Sequence, residues 1–318
     1  MTAYPLILSS ALQRTTARRI LEFKPFSLDE AQYIYSLLEK CTVPTCDFTV
    51  GGIYLWLRYF SYRRAVVDGT LFIEGVSEED PSQRAFSVPV GGELTLAQSV
   101  DMLRCYCRAE NIPLRFSAVP EIMVAPLQAL GVRITATLPD WADYLYDASA
   151  LATLSGKKMA KKRNHVNAFM AANPGWELVP LTHNNASEAL TFMRGLSLDA
   201  EKGLMAETER LEAAGMLENY SRFPMMEGAM LVTPNHGIVA FTIGETRGDT
   251  LFVHVEKMRH DINGSGEAIN TLFARGMVRQ HGIIYINRED DAGDPGLRRA
   301  KESYHPLRLL AKYEMELP

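Results

Sequence analysis

The sequence predicts a mixed α/β (α+β) fold of two similar modules, each a mixed sheet flanked by helices. Three observations lead there. Strand-like and helix-like runs alternate along the 318 residues, the order helix, hairpin, strand, helix, strand, helix, strand occurs twice, and a lysine-rich helical stretch separates the two occurrences. The expected divisions are residues 1–150, a basic connecting helix over 151–175, and residues 176–318.

In the first half, a helix through Leu38 opens with Ser27 as N-cap and Glu30 three residues on, the two halves of a capping box. Asp68-Gly69 is a two-residue turn signal that joins strands over 62–67 and 70–74 as a hairpin. Residues 86–90 form a short strand ended by Gly91-Gly92, and a helix over 95–110 leads to a strand over 114–118. A helix over 122–130 stops at Gly131, since glycine takes the left-handed turn that ends helices. Strands over 132–137 and 141–146 complete the half.

The second half begins with a strand over 176–181 and helices over 184–197 and 208–223. A hairpin of 228–233 and 237–246 turns over Pro234-Asn235, and a long strand follows over 250–257. Beyond a glycine-bearing turn come a helix over 265–280, a strand over 283–287, a helix over 295–304 and a strand over 307–313.

An apolar fraction of 47% with 22% charged residues fits a soluble globular chain with enough apolar surface for two cores. The net charge of −5 excludes indiscriminate binding to nucleic acid, although a local basic patch is compatible with it. No apolar run reaches the length of a membrane span. The short apolar stretch 4–12 lacks a basic region before it and is followed by Arg14, Arg18 and Arg19, unlike a signal peptide. A cytoplasmic location is expected. Cys41 and Cys46 flank a Val-Pro turn, and Cys105 and Cys107 lie on different faces of a helix; neither spacing suits zinc, so buried thiols and no metal are expected.

Lys157, Lys158, Lys161, Lys162 and Arg163 fall within seven positions. Lys157 with Lys161 and Lys158 with Lys162 are like-charge neighbours at i, i+4, a repulsion that an anionic partner relieves. The alternative is a solvated linker face. The same cluster suffices for weak association with the inner membrane face.

The last third concentrates polar groups beyond strand ends, where α/β proteins place function. Glu256 follows the apolar positions of a strand and, by period-two alternation, shares a face with His254. It is the first candidate for a general base or an ammonium site, with an ion pair to Arg288 as the structural alternative; His254 reads as a packed histidine. Asn287, Arg288, Glu289, Asp290 and Asp291 end the next strand. Their carboxylates suit a cationic group, and the guanidinium suits a phosphate or carboxylate. On the following helix, Arg298, Lys301 and either Tyr304 or His305 recur along one polar edge. No Walker loop, nucleophile elbow or HExxH is present.

Residues 154–169 (LSGKKMAKKRNHVNAF), 241–245 (FTIGE), 254–257 (HVEK) and 286–306 (INREDDAGDPGLRRAKESYHP) resemble the bacterial family of the C-terminal, catalytic domain of phosphatidylglycerol lysyltransferases. Residues 46–56 (CDFTVGGIYLW) and 65–73 (AVVDGTLFI) fit the same pattern, so the resemblance runs from about residue 20 onward. It implies a tandem of two acyl-CoA N-acyltransferase-like (GCN5-type) modules, as in Fem-type peptidyltransferases. It also implies a reaction class, transfer of an acyl or aminoacyl group from an activated donor to a nucleophile.

In acetyl-CoA-dependent members of the wider fold, a glycine-bearing turn and the helix N-terminus after it hold the pyrophosphate. The corresponding turn here has Gly264 and Gly266, but Asp261 stands where the pattern has Gln or Arg and would repel phosphate. Aminoacyl-tRNA is therefore the expected co-substrate ahead of acyl-CoA, with no tightly bound cofactor. Lys157, Lys158, Lys161, Lys162 and Arg163 would neutralise the phosphates of a tRNA acceptor end. Arg163 and Asn164 have a tie between the modules as their alternative role.

For the reaction, Glu256 is the candidate base and Arg288 is grouped with it; the resemblance implies that Tyr304 can protonate the leaving oxygen, with a structural hydroxyl that ends the helix as its alternative. Asn287, Glu289, Asp290, Asp291, Arg298, Lys301 and His305 are the expected contacts to substrate, an amine or hydroxyl of a lipid head group, a peptide or a small molecule. An acyl-CoA-dependent N-acetyltransferase is the second reading. A non-catalytic module that binds an amino acid or an anion is the third.

Overall fold

The structure, a computed structural model, describes residues 21–39, 41–77, 79–196 and 203–318. The apolar stretch 4–12 and the last residue of the helix expected over 184–197 lie outside the described residues. The first half holds strands β1 (Lys24–Pro25), β2 (Arg63–Val67), β3 (Thr70–Val76), β4 (Arg84–Phe86), β5 (Val90–Gly91), β6 (Leu114–Pro120), β7 (Arg133–Thr137) and β8 (Asp143–Asp147). Its helices are α1 (Ala31–Leu38), α2 (Val50–Tyr54), α3 (Leu96–Glu110), α4 (Glu121–Gln128) and α5 (Ala148–Thr153). The basic helix α6 (Ala160–Ala172) leads into β9 (Glu177–Pro180), α7 (Ala186–Gly195) and α8 (Gly203–Glu218). Then come β10 (Met226–Thr233), β11 (Gly237–Arg247), β12 (Thr250–Met258), α9 (Ser265–His281), β13 (Tyr285–Asn287), α10 (Pro295–Glu302), β14 (Arg308–Leu310) and β15 (Lys312–Leu317).

Local chemistry explains many of these boundaries. Ser27 and Glu30 form the expected capping box, opening a short 3₁₀ turn that runs into α1. Thr95 and Gln98 make a second box at α3. Asp294 caps α10 by accepting hydrogen bonds from the amides of Gly296 and Leu297 at 2.6 and 2.9 Å.

Both sheets are mixed and are built alike. The first runs β1-β2-β3-β4-β6-β15-β7, with β5 also on β3; the second, in the same sense, runs β9-β10-β11-β12-β13-β8-β14. Each has one parallel pair, β4 with β6 and β12 with β13, and the remaining pairs are antiparallel. The helix between the parallel strands is α3 in one case and α9 in the other, the crossover such a pair requires. In both sheets the strand after the parallel pair comes from the other half of the chain, β15 in the first and β8 in the second. The single strand expected over 307–313 is therefore two: β14 pairs with β8, and after Ala311 the chain crosses into the first sheet as β15.

Two apolar clusters fill the molecule. One lies within the first sheet and its helices and continues through α7 and α8 onto one face of the second sheet; the other packs α5, α6 and α9 on the opposite face. Val255 belongs to the former and Val253 to the latter, although residues two apart on a regular strand share a face. The cause is a β-bulge: the register passes from Ile243 opposite Val255 to Gly244 opposite Val253, leaving His254 as the extra residue. The alternation that put His254 beside Glu256 is thus broken at His254 itself. Among the described residues no helix is long and apolar enough to cross a membrane.

Candidate functional site

The site forms where β12 and β13 part. They pair only over residues 250–252 and 285–287, after which β12 continues to Met258 without β13 beside it. Side chains cross the gap. Arg288 Nη2 donates to Glu256 Oε1 at 2.9 Å, and Asn270 Nδ2 on α9 approaches Glu256 Oε2 at 3.4 Å. The Arg288 guanidinium lies 5.1 Å from the centre of the Tyr304 ring, and Lys162 Nζ on the basic helix lies 4.2 Å from the same ring. Lys162 and His165 both reach Glu267, at 3.4 and 3.1 Å. The late sheet and the basic helix therefore meet in a single cluster: Glu256, Arg288, Tyr304, Lys162, Asn270 and Glu267.

Its electrostatics are set by burial and pairing together. The side chains of Glu256 and Arg288 are each only 12% exposed, so their attraction is poorly screened. Burial opposes the charge on Arg288, but Glu256 outweighs it and raises the guanidinium pKa. Burial pushes the Tyr304 phenol well above its ordinary value against the nearby Arg288 cation, so the hydroxyl keeps its proton. Burial would raise the Glu267 carboxyl, yet His165 and Lys162 hold it below the usual range.

Other expected site residues have different surroundings. Asp291 receives Arg298 at 2.8 and 2.7 Å and the Tyr144 hydroxyl at 2.5 Å, while Arg298 also reaches Asp140 at 2.6 Å. Lys301 is buried and donates to the carbonyl oxygens of Arg288, at 2.6 Å, and Asp290. Its ammonium supports the loop main chain, and burial lowers its pKa. Burial pushes the Asp290 carboxyl up to about 7, despite the opposing pull of Lys312 and Lys301. His305 is exposed, at φ +53° just past α10. Glu289 and Ala292 also hold positive φ, +57° and +48°, so this loop carries backbone strain close to the cluster.

On the basic helix, Lys157, Lys158 and Lys161 are exposed, while Lys162 points into the cluster. Arg163 donates to the carbonyls of Leu154 and Gly156 at 2.6 and 3.3 Å, which secures the turn before α6. Gly264 caps α9 at φ +81° and packs so closely on α6 that a Cβ there would lie 2.5 Å from the His165 carbonyl oxygen. Gly266 packs on Met258, and Asp261 is exposed and paired with Arg259 at 2.5 Å. The start of α9, where a pyrophosphate would sit, is thus covered by α6 and bears Glu267 in its first turn.

Beside this cluster lies a second polar assembly that the sequence did not disclose. Side chains of the second sheet and of β15 reach main-chain and carboxylate groups of residues 43–51. Arg247 donates to the carbonyls of Val43 and Phe48, and Glu245 accepts from the amides of Val50 and Gly51 at 3.0 and 2.9 Å. Asn287 donates to Pro44 O at 3.0 Å and to Asp143 Oδ2 at 2.7 Å, an oxygen that also accepts from the Cys46 amide at 2.7 Å. Lys312 Nζ lies 2.8 Å from Asp143 and 2.9 Å from Asp47.

Asp143 and Lys312 are the first residues of the two exchanged strands, so this ion pair fastens the crossing. Cys46, Asp47 and Asp143 offer donor atoms within 4.8 Å of one another, but the Lys312 ammonium already serves those carboxylates as their cation. The neighbouring His254 is fully buried, with Nδ1 2.7 Å from Glu289 and Nε2 3.6 Å from Glu245. Burial opposes its charge, but the two carboxylates raise its pKa to about 9. Gly51 has to be glycine, since a Cβ there would lie 2.2 Å from the His254 ring. Asn287 and Glu289, expected to touch substrate, are engaged in this assembly.

The signals that could have revealed it were isolated charges inside apolar strands: Asp143 in WADYLY and Lys312 in LLAKYEM.

No curated protein matches the chain. The sequence profile of the family "Phosphatidylglycerol lysyltransferase, C-terminal" matches residues 43–315. The chain belongs to that family. Among solved structures, a conserved protein of unknown function from Bacteroides thetaiotaomicron is 32% identical with TM-score 0.83, over 94% of this chain and 100% of that one. The C-terminal domain of a putative lysylphosphatidylglycerol synthetase from Agrobacterium fabrum is 15% identical (TM-score 0.65; 92% and 93%), and L-PGS from Bacillus licheniformis is 16% identical (0.63; 90% and 91%). FemX shares the fold at 11% identity (0.62; 93% and 97%). The segments HVEK, INREDD and FTIGE contribute to both polar assemblies, FTIGE through Glu245 in the second and Thr242 opposite Glu256 in the first, while CDFTVGG builds the second.

Proposed function

We propose that the chain is an aminoacyl transferase, moving an aminoacyl group from aminoacyl-tRNA to an amine or hydroxyl of a lipid head group, peptide or small molecule. The observation that carries this reading is the meeting of the basic helix with Glu256, Arg288 and Tyr304 in one cluster. Membership of the lysyltransferase family and the likeness to FemX support the reaction class. In this reading the chain has two acyltransferase-like modules, residues 1–150 and 176–318, joined through 151–175, each lending one strand, β8 or β15, to the other's sheet.

In the reaction, the acceptor nitrogen or oxygen attacks the ester carbonyl carbon and its proton passes to Glu256, whose Oε2 is left free enough by Arg288 to take it. Arg288 faces the oxyanion. As the ester C–O bond breaks, the 3′-oxygen takes the proton that burial keeps on Tyr304, and the proton held by Glu256 restores the phenol. Exposed Lys157, Lys158 and Lys161 contact acceptor-end phosphates, and they provide weak attraction to an anionic membrane face. The covered start of α9 ranks acyl-CoA second as donor.

The test is transfer from a radiolabelled aminoacyl-tRNA pool to lipid, peptide and amine acceptors. Glu256→Gln should lower transfer about 100-fold or more, and changing Lys157, Lys158 and Lys161 to Glu should abolish RNA retention at moderate salt. Acetyl transfer from acetyl-CoA without any aminoacyl transfer would overturn the reading.

A further inference from the structure

The cluster contains buried oxygens for which the described residues supply no hydrogen-bond donor. Asn270 is 5% exposed and Thr242 is wholly buried, yet Asn270 Oδ1 and Thr242 Oγ1 have no partner. Leaving a polar atom in that state costs free energy, so each such oxygen calls for an explanation. Both belong to the surroundings of Glu256. Thr242 lies directly opposite Glu256 in the β11–β12 register, which sets their side chains on one face with Cβ atoms about 5 Å apart. Asn270 points its amide nitrogen at Glu256 Oε2. That contact fixes the amide: with the nitrogen committed to a carboxylate, the other end is an acceptor. Glu256 Oε2 itself has only the long contact to Asn270, because Arg288 engages Oε1.

We infer that Glu256 Oε2, Asn270 Oδ1 and Thr242 Oγ1 form a subsite for the primary ammonium group of a substrate. A primary ammonium carries three N–H donors and no acceptor, matching three oxygens of which one is anionic. A guanidinium needs a planar fork of acceptors, and a phosphate would meet oxygen lone pairs at all three positions. The inference rests on the transferase reading of the same cluster and sharpens it. The group bound is either the α-ammonium of the aminoacyl donor, which Glu256 then anchors, or an acceptor amine, from which Glu256 takes a proton. Asn270 and Thr242 are substrate-binding residues in both cases, and neither was evident from the sequence.

Binding of three small probes to the full chain tests this: L-alaninamide for the aminoacyl source, ethanolamine for an amine head group, and lactamide, which has a hydroxyl in place of the ammonium. Asn270→Ala and the near-isosteric Thr242→Val should each weaken the ammonium probe that binds by about tenfold or more, the loss expected for one hydrogen bond to a charged group. Asn270→Asp, which keeps shape and adds a second anionic acceptor, should bind that probe at least as tightly as the wild type. Lactamide should bind at least tenfold more weakly than alaninamide to the wild type and be indifferent to Asn270→Ala. Preference for alaninamide assigns the donor, and preference for ethanolamine assigns the acceptor.

Ammonium affinity equal in wild type, Asn270→Ala and Thr242→Val overturns the subsite and marks the two oxygens as water-filled. Transfer that still depends on Glu256 would in that case leave the enzyme reading standing. Ammonium binding that depends on Asn270, in a chain with no aminoacyl transfer, would uphold the subsite and overturn the enzyme reading instead.

Discussion

The two polar assemblies that share β12 are made of the same residue types, and they differ in what they leave open. Around Lys312, Asp143 and Asn287 the buried charges face opposite charges and main-chain groups of residues 43–51 take up many of the remaining donors and acceptors, although Thr45 Oγ1 and His254 Nε2 also lack a hydrogen-bond partner among the described residues. Around Glu256, an ion pair stands beside oxygens without donors. Buried polar groups that merely hold a fold are driven toward full satisfaction, because each orphan is a standing cost. A site that must receive a ligand keeps some acceptors unfilled and places them on rigid elements. The difference teaches that neighbouring residues of one strand end serve two purposes, and that charge alone does not tell them apart.

The comparison breaks most visibly at Lys312. Lys312→Met leaves Asp143 and Asp47 facing each other without their cation. Urea unfolding should register a loss of about 3–5 kcal/mol, the cost of removing one partner from a buried ion pair. Glu256→Gln keeps an oxygen for Arg288 but removes its counter-charge, so the same experiment should register a smaller loss than Lys312→Met while transfer collapses. Equal effects of the two substitutions on unfolding would erase the distinction.

His254 gives a pH signature to the closed assembly. Its folded pKa of about 9 lies above the roughly 6.5 of an unfolded histidine. Its contribution is thus fully present below pH 6.5 and is lost as the pH rises through 9. The difference in stability between the wild type and His254→Gln should shrink across that window by up to about 3 kcal/mol. A difference that stays constant from pH 6 to pH 9 would show that the imidazole is not held as a cation between Glu245 and Glu289.

Gly51 tests how tightly the two halves are pressed together. Gly51→Ala drives a methyl group into the His254 ring and should cost about 1–3 kcal/mol, read as a lowered unfolding midpoint. Pairing it with His254→Ala should recover part of that loss. Additive losses would place the clash elsewhere.

What was legible in the sequence was local. The Ser27–Glu30 box, the Asp68-Gly69 turn and the alternation of elements rest on neighbours in the chain, and the structure has them. The cluster was partly legible, because Glu256 and Arg288 are charged residues at ends of strands where packing does not ask for them, while Tyr304 also serves the core. Asn270 and Thr242 were hidden, since each is an unremarkable polar residue in a helix or strand until the fold brings it against Glu256. The bulge at His254 was equally hidden: the strand HVEK reads as regular, and only pairing with β11 reveals the extra residue. The exchange of β8 and β15 depends on contacts between distant parts of the chain, for which apolar alternation carries no label.

That exchange bears on how the molecule is made. The sixth place in the first sheet, between β6 and β7, belongs to β15. During synthesis, a ribosome that has released residues 21–137 has delivered every other strand of that sheet with a slot open in it. The nascent layer must wait, with unpaired edges on both sides of the vacancy, until residues 312–317 emerge. Unpaired strand edges are where sheets aggregate, so the late arrival of β15 leaves the first sheet exposed to that hazard until its last strand is made.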